Sequence, residues 1–146
     1  MIDALEAIKA ELAPLDIAVH LFANEGVTDT SVPEVPYIEL SPANGSGPIP
    51  RDLAVCGPSL ARQQFELRLR AMSYPSSAPP KVLNAARNIL TPDLTVGRIL
   101  TATLLIDLQY EGRDVDSQQD RDLFIAAGNR HPSWGSDAYA VHIQTI

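Results

Sequence analysis

A strand followed closely by a helix, between residues 63 and 90, constrains the fold more than any other part of the chain. Along residues 63–72 apolar and polar positions alternate, with Phe65, Leu67, Leu69 and Ala71 set against Gln64, Glu66, Arg68 and Arg70. This period of two predicts a strand with one buried face and one charged face. After a turn at 73–77, apolar residues recur at helical spacing and predict a helix at about 79–90, with its stripe at Val82, Ala85, Ala86, Ile89 and Leu90.

A second helix is predicted at residues 3–13, where four apolar residues form one stripe and Pro14 ends the helix: Ile2, Leu5, Ile8 and Leu12. Asp3 is the expected N-cap of this helix. For the helix at 79–90, Pro79 and Pro80 fit the first turn and Ser77 is the expected cap. The sequence from Thr91 to Asp93 is expected to close it.

Four further segments have strand patterns: 16–22, 37–40, 98–110 and 138–146. Because Pro33 and Pro36 flank it, the segment 37–40 is not expected in the middle of a sheet. Residues 98–110 are interpreted as one continuous strand followed by a turn at 111–114. A short strand at 123–125 and a loop at 128–135 complete the prediction.

The expected fold is one domain over residues 1–146, of the α+β class. An antiparallel or mixed β-sheet packs against two α-helices, because strands are grouped with only two helical segments. A long Gly/Pro-rich loop is predicted at 41–58, where four prolines and three glycines argue against regular structure.

Composition narrows the classes of function. The formal net charge of −7 argues against general binding of a phosphate backbone, which needs clustered Lys and Arg. The chain has no apolar run of roughly 18 residues, so no membrane span is predicted, and its acidic start does not resemble a signal peptide. The single cysteine, Cys56, allows no internal disulfide and fits folding in a reducing cytoplasm.

No motif in the sequence predicts catalysis, a cofactor or a metal. The three histidines are far apart, and the glycines at 45 and 47 lack the spacing of a phosphate or dinucleotide loop. Asp114, Asp116, Asp120 and Asp122 lack the glycine of a calcium loop and are interpreted as a solvated turn. Trp134 fits either an interface or a loop anchored on the core. We therefore expect a protein that is not an enzyme.

The order of segments over about residues 1–110 resembles the tail terminator proteins of long-tailed, siphovirus-like bacteriophages, particularly those infecting actinobacteria. An amphipathic helix and a strand lead to residues 35–42, Val-Pro-Tyr-Ile-Glu-Leu-Ser-Pro, and then to a Gly/Pro-rich excursion ending in Cys56-Gly57-Pro58. The charged strand at 65–71 and a helix ending in 83–90, Leu-Asn-Ala-Ala-Arg-Asn-Ile-Leu, follow. The extra segment at about 114–137 departs from that pattern.

The resemblance implies a virion structural protein of the neck, assembled in the host cytoplasm. Six copies would form a ring that caps the head-proximal end of the tail tube, ends its polymerisation and joins the tail to the head connector. The implied partners are other copies of the chain, the tail tube protein and a head-closure or connector protein, with DNA passing through the lumen without sequence-specific binding. The residues expected at subunit or partner interfaces are Gln64, Glu66, Arg68 and Arg70 on the strand and Asn44, Gly45, Ser46, Gly47 and Arg51 in the loop.

Three alternatives remain open from the sequence. The first is another neck component, a head-closure or tail-completion protein, although two helices fit a small β-barrel stopper poorly. The second is a small intracellular α+β enzyme or ligand-binding domain, which a pocket with convergent polar groups would favour. The third is a host protein with the same fold, because fold does not fix function.

Overall fold

The fold is seen in a computed structural model, which describes residues 2–21, 36–42, 49–51, 62–73, 77–93, 95–119 and 132–146. Within these residues the two α-helices are α1 (Ile2–Glu11) and α2 (Ala78–Leu90), and a 3₁₀ turn at Ala13–Leu15 follows α1. The strands are β1 (Ala18–Leu21), β2 (Tyr37–Pro42), β3 (Ile49–Arg51), β4 (Arg62–Ser73), β5 (Val96–Leu100), β6 (Leu104–Gln119) and β7 (Ser133–Thr145).

All seven strands belong to one sheet, in the order β1-β2-β4-β7-β6-β5. The short strand β3 pairs with the start of β4, on the side where β2 pairs with the end of β4. Among the strand pairs that the structure describes, only β1–β2 is parallel, so the sheet is mixed. The predicted α+β class, with a mixed sheet and two helices, is confirmed at this level.

The apolar face of the sheet and both helices share one buried core. The alternation along β4 is confirmed, because the four apolar residues predicted to share a face are all buried in one cluster with residues of α1, of α2 and of the turn after α1: Phe65, Leu67, Leu69 and Ala71 with Leu5, Ile8, Leu12, Leu83, Ala86 and Leu90. Each leucine buried in this way contributes roughly 2 kcal/mol through the apolar area removed from water. The helices therefore lie on one face of the sheet, and the charged side of β4 points to the other.

The ends of α2 agree with the prediction in part. A proline occupies the first turn and Ser77 is the N-cap residue, as predicted, but the Ser77 side chain makes no capping hydrogen bond. At the other end Thr91 is the C-cap, and its hydroxyl donates to the Arg87 carbonyl at 3.0 Å.

The predicted single strand at 98–110 is wrong, because a tight turn divides it into β5 and β6. The Thr101 hydroxyl accepts hydrogen bonds from the backbone N–H groups of Thr103 (3.3 Å) and Leu104 (2.9 Å). The threonine side chain thus makes a turn that needs neither glycine nor proline.

The predicted turn at 111–114 is also wrong, since β6 continues through it. The strand absorbs extra residues as bulges around Gly112, whose φ of 133° suits glycine. In the same way, residues 133–135 of the predicted loop at 128–135 belong to β7.

Two further expectations fail in part. The strand β2 lies inside the sheet, flanked by β1 and β4, and not at its edge as expected. The prolines allow this position because Pro36 precedes the strand and Pro42 is its last residue, so neither interrupts its middle. The segment 41–58 contains β3, so the prediction that it lacks regular structure is wrong at 49–51. The rest of that loop beyond Pro42, and the predicted strand at 123–125, lie outside the described residues.

Candidate interaction surface

We call the side of the sheet opposite the helices the charged face. Gln64, Glu66, Arg68 and Arg70 of β4 all lie on it, next to the small residues Ala140, Ala138 and Ser136 of β7 and to His142. Glu66 is exposed, and the other three are partly exposed. The structure therefore brings together all four interface residues predicted on this strand, with both signs of charge.

Arg70 is held by groups within the chain. Its guanidinium lies 3.7 Å from the carboxylate of Glu39, its cross-strand partner on β2, and 4.4 Å from the centre of the Trp134 ring. A cation over a tryptophan face is attracted by the ring electrons. The Trp134 ring thus lies on the charged face and packs against Arg70, a contact that the sequence pattern did not indicate.

Arg68 and Glu66 are more available to a partner. The Arg68 Nε lies 3.8 Å from a carboxylate oxygen of Asp114, and both side chains are nearly half exposed. Asp114 belongs to β6, so its predicted place in a solvated turn is wrong, and Asp120 and Asp122 lie outside the described residues. An exposed pair of this kind adds little to stability and is free to exchange partners.

The predicted loop residues cannot be placed beside this face. Asn44, Gly45, Ser46 and Gly47 lie outside the described residues. Arg51 is the last residue of β3, where its backbone pairs with Arg62 of β4. The predicted interface on this loop therefore remains a prediction.

A buried polar cluster on the helix side of the sheet was not predicted. Asp137 is fully buried, and its carboxylate accepts hydrogen bonds from Arg113 Nε (2.7 Å) and Nη2 (3.4 Å) and from the Tyr110 hydroxyl (3.2 Å). The hydrogen bond with Asp137 raises the pKa of Arg113, and burial raises the pKa of Tyr110. The carboxylate and the guanidinium are therefore held as a charged pair.

This cluster joins the sheet to α2. Arg113 Nη2 also donates to the Asn84 side chain at 2.7 Å, and the Arg87 guanidinium lies 4.2 Å from the centre of the Tyr110 ring. Burial raises the pKa of Tyr139, whose ring contacts that of Tyr110 edge to face. We interpret the cluster as the connection that fixes α2 on the sheet, because it links Arg113 and Tyr110 of β6 to Asn84 and Arg87 of the helix.

An open groove of about 570 Å³ lies where α2 leads into the edge strand β5. Polar side chains from three strands line it, Arg98, Asp107, Gln109 and His142, together with Pro92 and Val96. Arg98 Nε donates to Asp107 at 2.6 Å, so its charge is already partnered. Nearby on β5, Val96 and Leu100 are 47% and 69% exposed.

Comparison with known proteins adds no relative. No protein-family model matches the chain, and a search of curated proteins returned no match. Within the described ranges, no helix is long and apolar enough to cross a membrane. The same part of the chain contains no group of three or more His, Cys, Asp or Glu residues arranged to hold a metal ion.

Proposed function

We propose that this chain is a ring-forming structural subunit of a bacteriophage tail, of the tail-terminator kind. The observation that carries the proposal is that β4 has one apolar face and one charged face with different roles. Its apolar residues build the core with both helices, while Glu66, Arg68 and their neighbours present both signs of charge on the opposite face. The order of segments, which resembles that of tail terminator proteins, suggests where such a subunit would lie, namely at the head-proximal end of the tail tube.

A ring needs two different surfaces on each subunit that fit each other by rotation. A face with both signs of charge can select a neighbour and fix its orientation, because like charges placed opposite one another are unfavourable. The net charge of −7 fits a ring through which DNA passes without adhering. In this proposal six copies cap the tube and present a second surface to the head-closure or connector protein.

The groove beside β5 favours one other candidate function, a small ligand-binding domain. Its volume of about 570 Å³ lies within the usual range for small-molecule sites. Arg98 and Asp107, two of the three charged residues that line the groove with Asp93, already pair with each other, and the groove is open, so it offers little to hold a ligand. We therefore place this candidate second.

Native mass tests the proposal directly. We expect light scattering on the purified protein, alone or after mixing with tail tube protein, to give a mass near six subunits. A closed ring is a single species, so the mass should not keep rising with protein concentration. A monomer in both conditions would contradict the proposal and favour the ligand-binding candidate.

Reversing the charge of Arg68 and Arg70 should weaken ring assembly. In the Arg68→Glu, Arg70→Glu variant the exposed pair with Asp114 and the contact with Glu39 both become repulsive. The charged face also loses both of these positive residues of β4 and keeps Arg98 of β5. We expect a shift from ring to monomer that changes with ionic strength, because exposed charges are screened by salt. The measurement is native mass at low and high salt.

The matched control for this variant is Lys9→Glu with Lys81→Glu. It makes the same change in net charge at exposed positions on the two helices. We expect it to keep the ring. If both variants assembled as the wild type does at every salt concentration, the charged face would lie outside the subunit interface.

A further inference from the structure

The two outer strands of the sheet pair on one side only within the described residues, β5 with β6 and β1 with β2. Two hydrogen bonds, one at each end of the β5–β6 pair, show which residues of β5 bond to β6. Tyr110 N donates to the Thr95 carbonyl, and Thr101 N donates to the Leu104 carbonyl. Bonding direction alternates along an antiparallel strand, so the amides of Arg98 and Leu100 point away from β6. This edge therefore offers backbone donors and acceptors to another strand.

Two exposed apolar side chains, Val96 and Leu100, lie on this edge strand, with Arg98 between them on the same face. Three large hydrophobic residues of the described chain are exposed, namely Val96, Leu100 and Ile146. Val96 and Leu100 lie on one side of β5, and Ile146 N donates to the Thr103 carbonyl in the β5–β6 turn at 3.0 Å. An edge strand with exposed apolar side chains is a ready site for pairing with another chain.

We infer that the β5 edge of one subunit pairs with the β1 edge of a second copy, so that one sheet continues across the two subunits. The inference rests on the proposed ring and names the surfaces that close it. Following the pairings across the sheet, β1 and β5 run in the same direction. A copy rotated about an axis along the strands therefore presents β1 parallel to β5.

The side chains of the two edges match on both faces. Val19 of β1 and Ile99 of β5 both point toward the helix layer and are buried. On the charged face β1 presents the exposed Ala18 and the partly exposed His20, and the small side chain of Ala18 leaves room for Val96 or Leu100. Pairing of the edges thus covers apolar surface without placing a charge in the core.

A two-fold dimer through β5 alone fits less well. A two-fold axis makes the strands antiparallel and, with the register centred on the strand, sets Arg98 opposite Arg98. The β5–β1 contact avoids this repulsion. It also joins two different surfaces, which is the kind of contact that closes a ring.

Disulfide cross-linking tests the contact. The chain has one cysteine, so the background is Cys56→Ser, into which Ala18→Cys is combined with Val96→Cys or, for the other register, with Leu100→Cys. A disulfide needs Cβ atoms about 4 Å apart, so only direct neighbours react. We expect a reducible ladder of multimers up to the ring from one combined variant, and no ladder from any single variant.

Each other outcome overturns the inference in a recognisable way. Dimers from Val96→Cys combined with Leu100→Cys, or from either substitution alone, would show a two-fold contact, centred on Arg98 in the first case and on the substituted residue in the second. A ring by light scattering without any cross-link would show that another surface closes it, which leaves the proposed function intact. A monomer alone and with tube protein would overturn both the inference and the proposed function.

A second variant tests the edge without cysteines. We expect Val96→Lys with Leu100→Lys to remove the ring mass while the monomer stays folded, because both side chains are exposed and charges at an edge oppose strand pairing. The matched control, Ala10→Lys with Asn88→Lys, adds the same charge at exposed helix positions and should keep the ring. Retention of the ring by the edge variant would overturn the inference.

Discussion

Asp137→Asn should cost the folded protein about 3 kcal/mol in its free energy of unfolding. The change keeps the size of the side chain and removes the charge that partners Arg113. Asp137 is fully buried, and the Arg113 side chain is 20% exposed, so the guanidinium would be left largely buried without its main partner. Arg113 keeps its contacts with Asp116 and Asn84. We therefore expect the loss in the free energy of unfolding to lie at the lower end of the range for a broken buried pair.

Urea unfolding with an unchanged m-value is the measurement. The control is Asp107→Asn, which breaks the equally close pair with Arg98, at 2.6 Å, between two well-exposed side chains. We expect a far smaller loss from it, because water and salt already screen that pair. Similar losses of stability from the two variants would show that burial is not the reason why the Asp137–Arg113 pair stabilises the protein.

Local periodicity is the reason why β4 and α2 could be predicted well. β4 shows a period of two and buries the face that this pattern indicates, and α2 shows a period of 3.6 and buries Ala86 and Leu90 of its predicted stripe. The fully buried Leu83 was not part of that stripe, and Val82, Ala85 and Ile89 are only partly buried. The charged residues of β4 could be placed on one face for the same reason. Their partners could not, because Glu39, Asp114 and Trp134 reach this face through strand pairings distant in sequence.

The β5–β6 hairpin escaped prediction because its turn lacks the usual turn residues. The apolar alternation runs on through residues 98–110, but the turn changes its phase, so that Ile99 and Ile106 become cross-strand partners. Leu100 therefore lies on the charged face and not in the core. The exposed edge at β5, which carries our inference about assembly, is a direct consequence of that change.

The Asp137 cluster illustrates a second limit. Asp137 and Arg113 are 24 residues apart and meet only because β6 and β7 pair with bulges between them. A one-residue change in register moves a side chain to the other face of a sheet. No local pattern in the sequence carries the register, so the buried ion pair could be found only in the folded structure.

Gly97→Ala should destabilise the protein by about 3 kcal/mol, because β5 passes directly under the end of α2. A methyl group at this position would come 1.8 Å from the Leu90 carbonyl oxygen and 2.9 Å from its carbonyl carbon. Both are backbone atoms, so no side-chain rotation can relieve the contact. The strand or the last turn of the helix must move, and the core packing of Leu90 and Ile99 must loosen with it.

The measurement is again urea unfolding, and Arg98→Ala on the adjacent residue is the control. Arg98 is exposed on the charged face, so Arg98→Ala should cost little stability. This change removes more atoms from the strand than Gly97→Ala adds. Stability equal to the wild type in Gly97→Ala would contradict the close contact between β5 and α2. A large loss in Gly97→Ala alone would show that the helix end fixes the edge strand, and with it the position of the proposed subunit contact.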